Sequence, residues 1–285
     1  MSDRAATARV PEAETEEYSG TARRGGRLRA TSRSLALGTL SVLVLLAAWY
    51  VVTAAGYISP IFLPSPQQVV RQARRSLTDG SLFWHVVTSG RRVLGGFVLA
   101  VIVAVPLGIT LGTSRTAKAL FDPILSIIRP LPSLSWIPLT ILWFGIDEGQ
   151  KYAIVFMGTF ASALLYVMES TRRVDPLLIK AAQNLGATRL DVLREVILPG
   201  SLPGIISGLK VCLALAWTCV LSAEMVAATH GLGALIWFAK DWNNMALVMV
   251  GMVSISVTVL VIDTAFRAIE DRILPWERHQ RRRDA

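Results

Sequence analysis

Charged residues are scarce in this sequence and are missing altogether from several long stretches. Only 17% of the 285 residues are charged and 53% are hydrophobic, whereas soluble domains usually contain about 25% charged residues. Five ranges hold no charge at all: 35–70, 93–114, 130–146, 152–168 and 242–262. Because a membrane-spanning helix needs about 20 mostly apolar residues, the pattern predicts an all-α, multi-pass membrane protein and excludes a soluble enzyme.

Groups that could carry out chemistry are equally rare. The sequence contains no G-x-x-x-x-G-K-[ST] loop, so it lacks that means of binding ATP phosphates. The three histidines, His85, His230 and His279, are expected to be isolated from one another. Cys212 and Cys219 share a helical face, but two ligands are too few for a zinc site. We therefore expect no catalytic residue, no cofactor and no metal, and hence no enzyme.

Six membrane-spanning helices are predicted, at 35–55, 93–111, 123–144, 152–169, 203–228 and 245–268. Arginine is concentrated in the two end segments, with seven in residues 1–34 and six in residues 267–283. Lys and Arg next to membrane spans remain on the cytoplasmic side, and an even number of spans returns the chain to the side where it began. Both termini are therefore predicted to be cytoplasmic.

The composition divides the chain into four parts. Residues 1–34 are polar and are predicted to form a disordered cytoplasmic tail, since they contain few large apolar side chains. Residues 35–82 comprise the first transmembrane helix and an external amphipathic segment. Residues 83–270 form the transmembrane core, and residues 271–285 form a basic cytoplasmic tail.

The amphipathic segment, "PSPQQVVRQARRSL", is the part that fits the predicted topology least well. Pro66 suits a first helical turn, and Val69, Ala73 and Leu77 recur at every fourth residue, as on one face of a helix. However, residues 71–92 include five arginines that would lie outside the membrane. Either the topology is wrong, or the segment is a helix outside the bilayer; the other connections favour the second interpretation.

A polar segment, "KAAQNLGATRLDVLREVILPGSLPG", interrupts the apolar sequence between the fourth and fifth predicted spans. Asp175 can cap a helix that begins at Pro176, and Gly186 can end that helix. Thr188 can cap a second helix, which we expect Pro199 to end. Each helix has an apolar face, formed by Leu177, Ala181 and Leu185 in the first and by Leu190, Leu193 and Ile197 in the second.

Three interpretations of this helix pair are open from its pattern. It could dock into a groove on another protein, or it could rest on lipid headgroups. It also resembles a DNA-binding helix-turn-helix, but membrane spans begin within a few residues of both of its ends. A recognition helix could not then reach about 8 Å into a major groove, so we expect no nucleic-acid partner.

The segment resembles the cytoplasmic coupling loop of binding-protein-dependent ABC importer permeases. The residues that carry the resemblance are Ala181, Ala182, Gly186, Leu198 and Pro199, while Lys180 stands where the family has Glu. The stretches "LPSPQQV", "RPLPSLSWIPLTILWFGI" and "AEMVAATHGLGALIW" are similar to the nitrate, sulfonate and taurine branch of the family. The resemblance covers residues 60–275, approximately.

This resemblance implies the type I importer permease fold, with six helices and a coupling loop between the fourth and fifth. It also implies a homodimer in the bacterial cell (inner) membrane, an ATP-binding subunit, and a solute-binding protein outside. The implied solute is a small anion such as an aliphatic sulfonate, taurine or nitrate. A thiamine-precursor pyrimidine is an alternative solute, and an ATP-independent channel or secondary transporter is the alternative class.

Polar residues within the predicted spans are candidates for the pathway or for partner contacts. Arg129 lies near one end of the third span, beside Pro130 and Pro132, which free backbone carbonyls that need new partners. Glu224 lies near the outer end of the fifth span and could pair with an arginine or contact the binding protein. Snorkelling or mutual pairing near the headgroups is the alternative for Arg129, Lys210 and Asp263.

Overall fold

The structure is a computed structural model that describes the backbone of residues 21–275 and the side chains of residues 37–275. Within this part of the chain all regular structure is helical. The helices are α1 Thr21–Ala54, α2 Pro66–Thr78, α3 Ser81–Thr113, α4 Arg115–Ile128, α5 Ile137–Phe144, α6 Glu148–Arg172, α7 Pro176–Asn184, α8 Arg189–Asp191, α9 Leu198–Ala227, α10 Leu232–Asp241 and α11 Met245–Ile273, with a 3₁₀ turn at Ser133–Trp136 and a π turn at Val192–Ile197.

The chain divides into two units, residues 1–57 and residues 58–285. The first unit contains α1, whose residues Leu37–Ala54 are long and apolar enough to span a membrane. This helix begins at Thr21, ahead of the predicted start of the first span at residue 35. Ala, Arg and Leu are strong helix formers, and an existing helix extends at low cost. The remainder of the predicted N-terminal tail, residues 1–20, and most of the C-terminal tail, residues 276–285, lie outside the described residues.

Five of the described helices are long and apolar enough to cross a membrane, and α4 with the 3₁₀ turn and α5 forms a sixth, bent segment. The predicted third span, 123–144, falls in this segment, whose two halves meet at 89°. The break lies at Arg129–Pro132, after the end of α4. Pro130 and Pro132 cannot donate backbone hydrogen bonds, so the helical pattern is interrupted at both positions.

Helices α3 and α6 approach closely through a row of small residues on α3. Gly96, Ala100, Ala104, Gly108 and Gly112 recur at every fourth position, and both alanines are fully buried. A Cβ atom added to Gly96 would lie 2.5 Å from Cβ of Val155, and one added to Gly108 would lie 2.7 Å from Cβ of Val167. Small residues let transmembrane helices pack backbone to backbone, so this row fixes α6 against α3.

Helix α2 is amphipathic, as the sequence predicts. The Ser65 hydroxyl accepts from Gln68 N–H at 3.4 Å, and the Gln68 side chain accepts from Ser65 N–H at 2.8 Å, so the helix begins with a capping box. Its apolar residues Val69, Ala73 and Leu77 line a cavity of about 530 Å³ together with side chains of α3 and α11. The apolar face of α2 is therefore turned towards α11.

Candidate functional site

Helix α7 has the boundaries that its sequence predicts. The Asp175 carboxylate accepts a hydrogen bond of 2.8 Å from Leu177 N–H at the start of the helix, and Pro176 occupies the first turn. At the other end, Gly186 adopts a left-handed conformation with φ of 87°. Ala187 N–H donates back to the Ala182 carbonyl at 3.1 Å, which satisfies a carbonyl of the last turn. The first helix and its glycine stop are confirmed.

The apolar face of α7 is not covered by any described part of the chain. The exposed fractions of Leu177, Leu178 and Leu185 are 70%, 57% and 90%. Ala181 is also exposed, Ala182 is partly exposed, and none of the residues of α7 is buried. A contiguous apolar patch of this kind marks a surface that contacts a protein or a membrane.

The second predicted helix begins as expected but does not end at Pro199. Thr188 and Asp191 form a capping box, with Thr188 N–H donating to the Asp191 carboxylate at 2.9 Å. Helix α8 then continues through the π turn into α9, so that Arg189–Ala227 forms one segment. Pro199 lies directly after the π turn, at the start of α9. The second helix is therefore joined rigidly to the fifth span.

The junction between the loop and the spans is also packed. Val192 and Ile197 of the π turn are buried, and so is Val174, which precedes α7. A Cβ atom added to Gly200 would lie 3.4 Å from both methyl groups of Val174. The base of the loop thus contacts α9 while its tip, α7, stays exposed. Leu198 is half-buried at this junction, whereas Lys180 and Pro199 are exposed.

Comparison with known proteins identifies the family of this chain. The profile of the "Binding-protein-dependent transport system inner membrane component" family matches residues 96–279, which is more than half of the chain. The chain belongs to this family of permeases. It is therefore a membrane component of a transport system rather than an enzyme, as the sequence predicts.

Curated relatives of this permease come from the branch that the sequence predicts. It is 36% identical over 248 residues to the "Taurine transport system permease protein TauC" of Escherichia coli, a match that covers 85% of this chain and 90% of that protein. It is 31% identical to the "Putative aliphatic sulfonates transport permease protein SsuC" of Bacillus subtilis, and the match covers 84% of this chain and 87% of that protein. It is 28% identical to the "Nitrate import permease protein NrtB" of Leptolyngbya laminosa, with 74% and 79% covered.

Solved structures confirm the importer permease fold. The permease matches a chain of the inward-facing MetNI methionine ABC transporter with a TM-score of 0.55 and 21% identity, covering 66% of this chain and 92% of that one. A chain of an amino acid ABC transporter with histidines matches with a TM-score of 0.55 and 15% identity, covering 69% and 94%. At these identities the likeness concerns the fold alone.

At the opposite end of α9 from the loop, Glu224 is enclosed by the permease itself. Its carboxylate accepts hydrogen bonds from Arg92 Nη1 at 2.8 Å and from Ser89 Oγ at 2.8 Å. Gly233 N–H donates to the same carboxylate at 2.9 Å. The Glu224 side chain is fully buried, and the Arg92 side chain is 3% exposed. Of the roles predicted for Glu224, pairing with an arginine is the one that the structure shows.

Arg92 links this carboxylate to α6. It forms an ion pair with Glu148 at the start of α6, and its Nε donates to Glu148 at 2.9 Å. It also donates to the carbonyl of His230, which precedes α10. The prediction that the histidines are isolated is wrong for two of them, because the rings of His85 and His230 lie 6.1 Å apart. Arg92 therefore holds α3, α6 and the turn before α10 together.

Lys210 and Asp263 are also paired. Mutual pairing is one of the two alternatives predicted for these residues. The Lys210 ammonium lies 3.4 Å from the Asp263 carboxylate and joins α9 to α11. Arg267 lies 2.8 Å from the same carboxylate, one turn further along α11. These pairs lower the cost of placing ionisable groups in membrane-spanning helices.

Arg129 lies at the break in the bent segment, beside the half of α6 that ends at Arg172. It follows α4 at the break in the bent segment, and Pro130 and Pro132 occupy the same break. It lines a cavity together with Ser162 of α6. At about 1.5 Å per residue, Ser162 is about 15 Å along the helix from Arg172 and about 21 Å from Glu148. Leu165 and Tyr166 line the same cavity, so Arg129 faces a stretch of α6 about 9–15 Å along the helix from Arg172.

Proposed function

We propose that the permease forms the transmembrane pathway of an ATP-driven importer for a small anionic solute, which a binding protein delivers. The solute class is an aliphatic sulfonate, taurine or nitrate, since the related permeases are named for these solutes. An ATP-binding subunit and an extracytoplasmic solute-binding protein are the partners that the family implies. The exposed leucine face of α7 is the observation that most directly supports docking on an ATP-binding subunit.

In this proposal the segment Asp175–Pro199 docks on the ATP-binding subunit. Its coupling residues are Lys180, Ala181, Ala182, Gly186, Leu198 and Pro199. The short apolar helix fits the general pattern in which an amphipathic helix enters a groove on a partner. Lys180 replaces the Glu of the related loops and is exposed, so its side chain does not determine how α7 folds.

The continuity of α8 with α9 supports a mechanism for the coupling. When ATP closes the ATP-binding subunits, α7 moves with the surface to which it is docked. The buried base of the loop passes this movement to α9, because Arg189–Ala227 is one segment. The buried Arg92–Glu224 pair keeps the far end of α9 attached to α3. The spans then rock between an inward-open and an outward-open arrangement.

The proposal also includes a homodimer with the pathway between the two copies, and two cytoplasmic termini. The positive-inside rule supports this orientation, which places α7 in the cytoplasm and α2 outside. Pro130 and Pro132 leave backbone carbonyls without helical donors at the break. Such irregular backbone is tolerated at membrane depth where it lines a cavity, so we assign this break to the pathway.

The test is uptake of radiolabelled taurine, ethanesulfonate and nitrate into proteoliposomes that contain the permease, its ATP-binding subunit and its binding protein. We expect accumulation of at least one of the three solutes with ATP, and none with ADP or without the binding protein. Uptake that is equally fast without ATP would contradict the proposal and would indicate a channel or secondary transporter. Absence of uptake of all three solutes would contradict the proposed substrate class.

A further inference from the structure

A cavity of about 510 Å³ lies beside the break in the bent segment. The described residues that line it are Ser126, Arg129, Pro130, Ser162, Leu165 and Tyr166, of which Arg129 is the only one with a formal charge at neutral pH. The hydroxyl groups of two serines and a tyrosine supply its other side-chain polar atoms. The lining therefore combines one fixed positive charge with several hydrogen-bond donors.

The depth of this cavity makes the free charge unusual. The α6 residues that line the cavity, Ser162, Leu165 and Tyr166, lie about 9–15 Å along the helix from Arg172, within a helix that is long and apolar enough to span a membrane. Arg and Lys at such depths normally pair with carboxylates or face a water-filled space. The Arg92 and Lys210 side chains follow this rule, with Glu224 and Asp263 as their partners.

Arg129 does not follow this rule of pairing with a carboxylate. Its side chain makes no ion pair with a carboxylate of the described residues. An arginine guanidinium presents five N–H donors in a planar fork that matches the oxygens of an oxyanion. An arginine at membrane depth that has no internal partner and faces a cavity is therefore available to an anionic ligand.

We propose that Arg129 and the hydroxyls of Ser126, Ser162 and Tyr166 bind the oxyanion group of the solute during its passage. The proposal rests on the proposed import of a small anion and assigns the residues that select its charge. The break at Pro130 supports it independently, because non-helical backbone at this depth is expected to line a pathway. Tyr166 also lines a second cavity of about 430 Å³, which extends along α6 and α9 to Arg173. The solute would pass Tyr166 between the two cavities.

The first experiment measures the charge of the cavity without transport. Ser162→Cys is introduced into a permease whose Cys212 and Cys219 are replaced by alanine, and the purified complex with its ATP-binding subunit is labelled in detergent. A sulfonate-bearing and a trimethylammonium-bearing methanethiosulfonate are compared by their rates. We expect the anionic reagent to be favoured and Arg129→Gln to reduce that preference by roughly ten-fold, since a nearby unit charge has a strong effect at low dielectric.

Two further variants control this measurement. Arg129→Lys keeps the charge, so it should retain the preference for the anionic reagent. Arg115→Gln removes an exposed arginine from the start of α4, outside the cavity, and should leave the preference unchanged. If the ratio of the labelling rates of the anionic and cationic reagents is the same in the protein with Arg129 and in the Arg129→Gln variant, the proposal is overturned. This result would mean that Arg129 extends to the headgroups or pairs with a carboxylate of a second copy.

The second experiment measures uptake of labelled taurine into proteoliposomes with the same variants. Arg129→Gln should reduce uptake about ten-fold or more, because a charged hydrogen bond is lost, while the ATP-binding subunit stays bound. Arg129→Lys should retain part of the activity, and Arg115→Gln all of it. If the wild-type permease transports taurine and Arg129→Gln transports it equally well, the proposed anion site is wrong. If the wild type transports no anion, the proposed substrate class fails, whereas the labelling result still decides the site.

Discussion

The buried Arg92–Glu224 pair is predicted to contribute more to stability than any exposed ion pair of this chain. We consider Arg92→Met, which keeps a long side chain but removes the charge. It leaves the Glu224 carboxylate buried with only Ser89 and Gly233 as donors. Removing one partner of a buried ion pair typically costs about 3–5 kcal/mol. Since the Arg92 and Glu224 side chains are 3% and 0% exposed, we expect Arg92→Met to lower the free energy of unfolding by an amount within this range.

The neighbouring arginine provides a matched control. Arg91 lies 3.5 Å from Glu148, but its side chain is 65% exposed. An exposed ion pair contributes about 0–1 kcal/mol, so Arg91→Met should have little effect. The double variant Arg92→Met/Glu224→Gln removes the unpaired charge and keeps an acceptor for Ser89 and Gly233. It should be more stable than Arg92→Met alone, with a coupling of about 2 kcal/mol.

The assay is unfolding of the purified permease in mixed micelles with increasing SDS, followed by tryptophan fluorescence. Free energies of unfolding are compared for five proteins: the wild type, Arg91→Met, Arg92→Met, Glu224→Gln and the double variant, because the coupling requires both single variants. If Arg92→Met is no less stable than Arg91→Met, the buried network does not hold α9 to α3. If the double variant is as unstable as Arg92→Met, the effect arises from lost packing and not from an unpaired charge.

The topology and the packing of α3 give two further predictions. Gln72→Cys, in a permease without Cys212 and Cys219, should react with a membrane-impermeant thiol reagent in intact cells; reaction only after lysis would place α2 in the cytoplasm. Gly108→Val should lower the free energy of unfolding by at least about 1–3 kcal/mol, because its Cβ would lie 2.7 Å from Val167. Gly90→Val is the control, since nothing lies within 4 Å of a Cβ there, and equal stability of the two variants would refute the close approach of α3 and α6.

Features that depend on a few neighbouring residues were predictable from the sequence. The cap at Asp175, the stop at Gly186 and the capping box at Thr188 all form within six residues of chain, and the structure has each of them. The apolar face of α2 was predictable because its helical spacing is regular. Local hydrogen bonds and side-chain periodicity do not require knowledge of the rest of the fold.

Features that depend on distant contacts were not predictable. Arg92 and Glu224 are separated by 132 residues, and no local pattern indicates that they meet. The prolines at 130 and 132 are visible in the sequence, but they do not indicate the angle of 89° at which the two halves meet. Pro199 is expected to end a helix, yet the π turn before it lets the chain continue into α9. Local rules therefore predict neither which distant residues pair nor the angle at which a helix is broken.

The docking of α7 on the ATP-binding subunit is tested most directly by co-purification. Ala182→Asp would place an unpaired charge in an apolar groove, which costs several kcal/mol, so we expect binding of the ATP-binding subunit to weaken at least about 100-fold. Gln183→Asp makes the same change in charge on the neighbouring position, away from the leucine face, and should bind normally. Lys180→Glu, which introduces the residue of the related loops, should also bind normally. Equal recovery of the ATP-binding subunit with Ala182→Asp and Gln183→Asp would contradict the proposed coupling site.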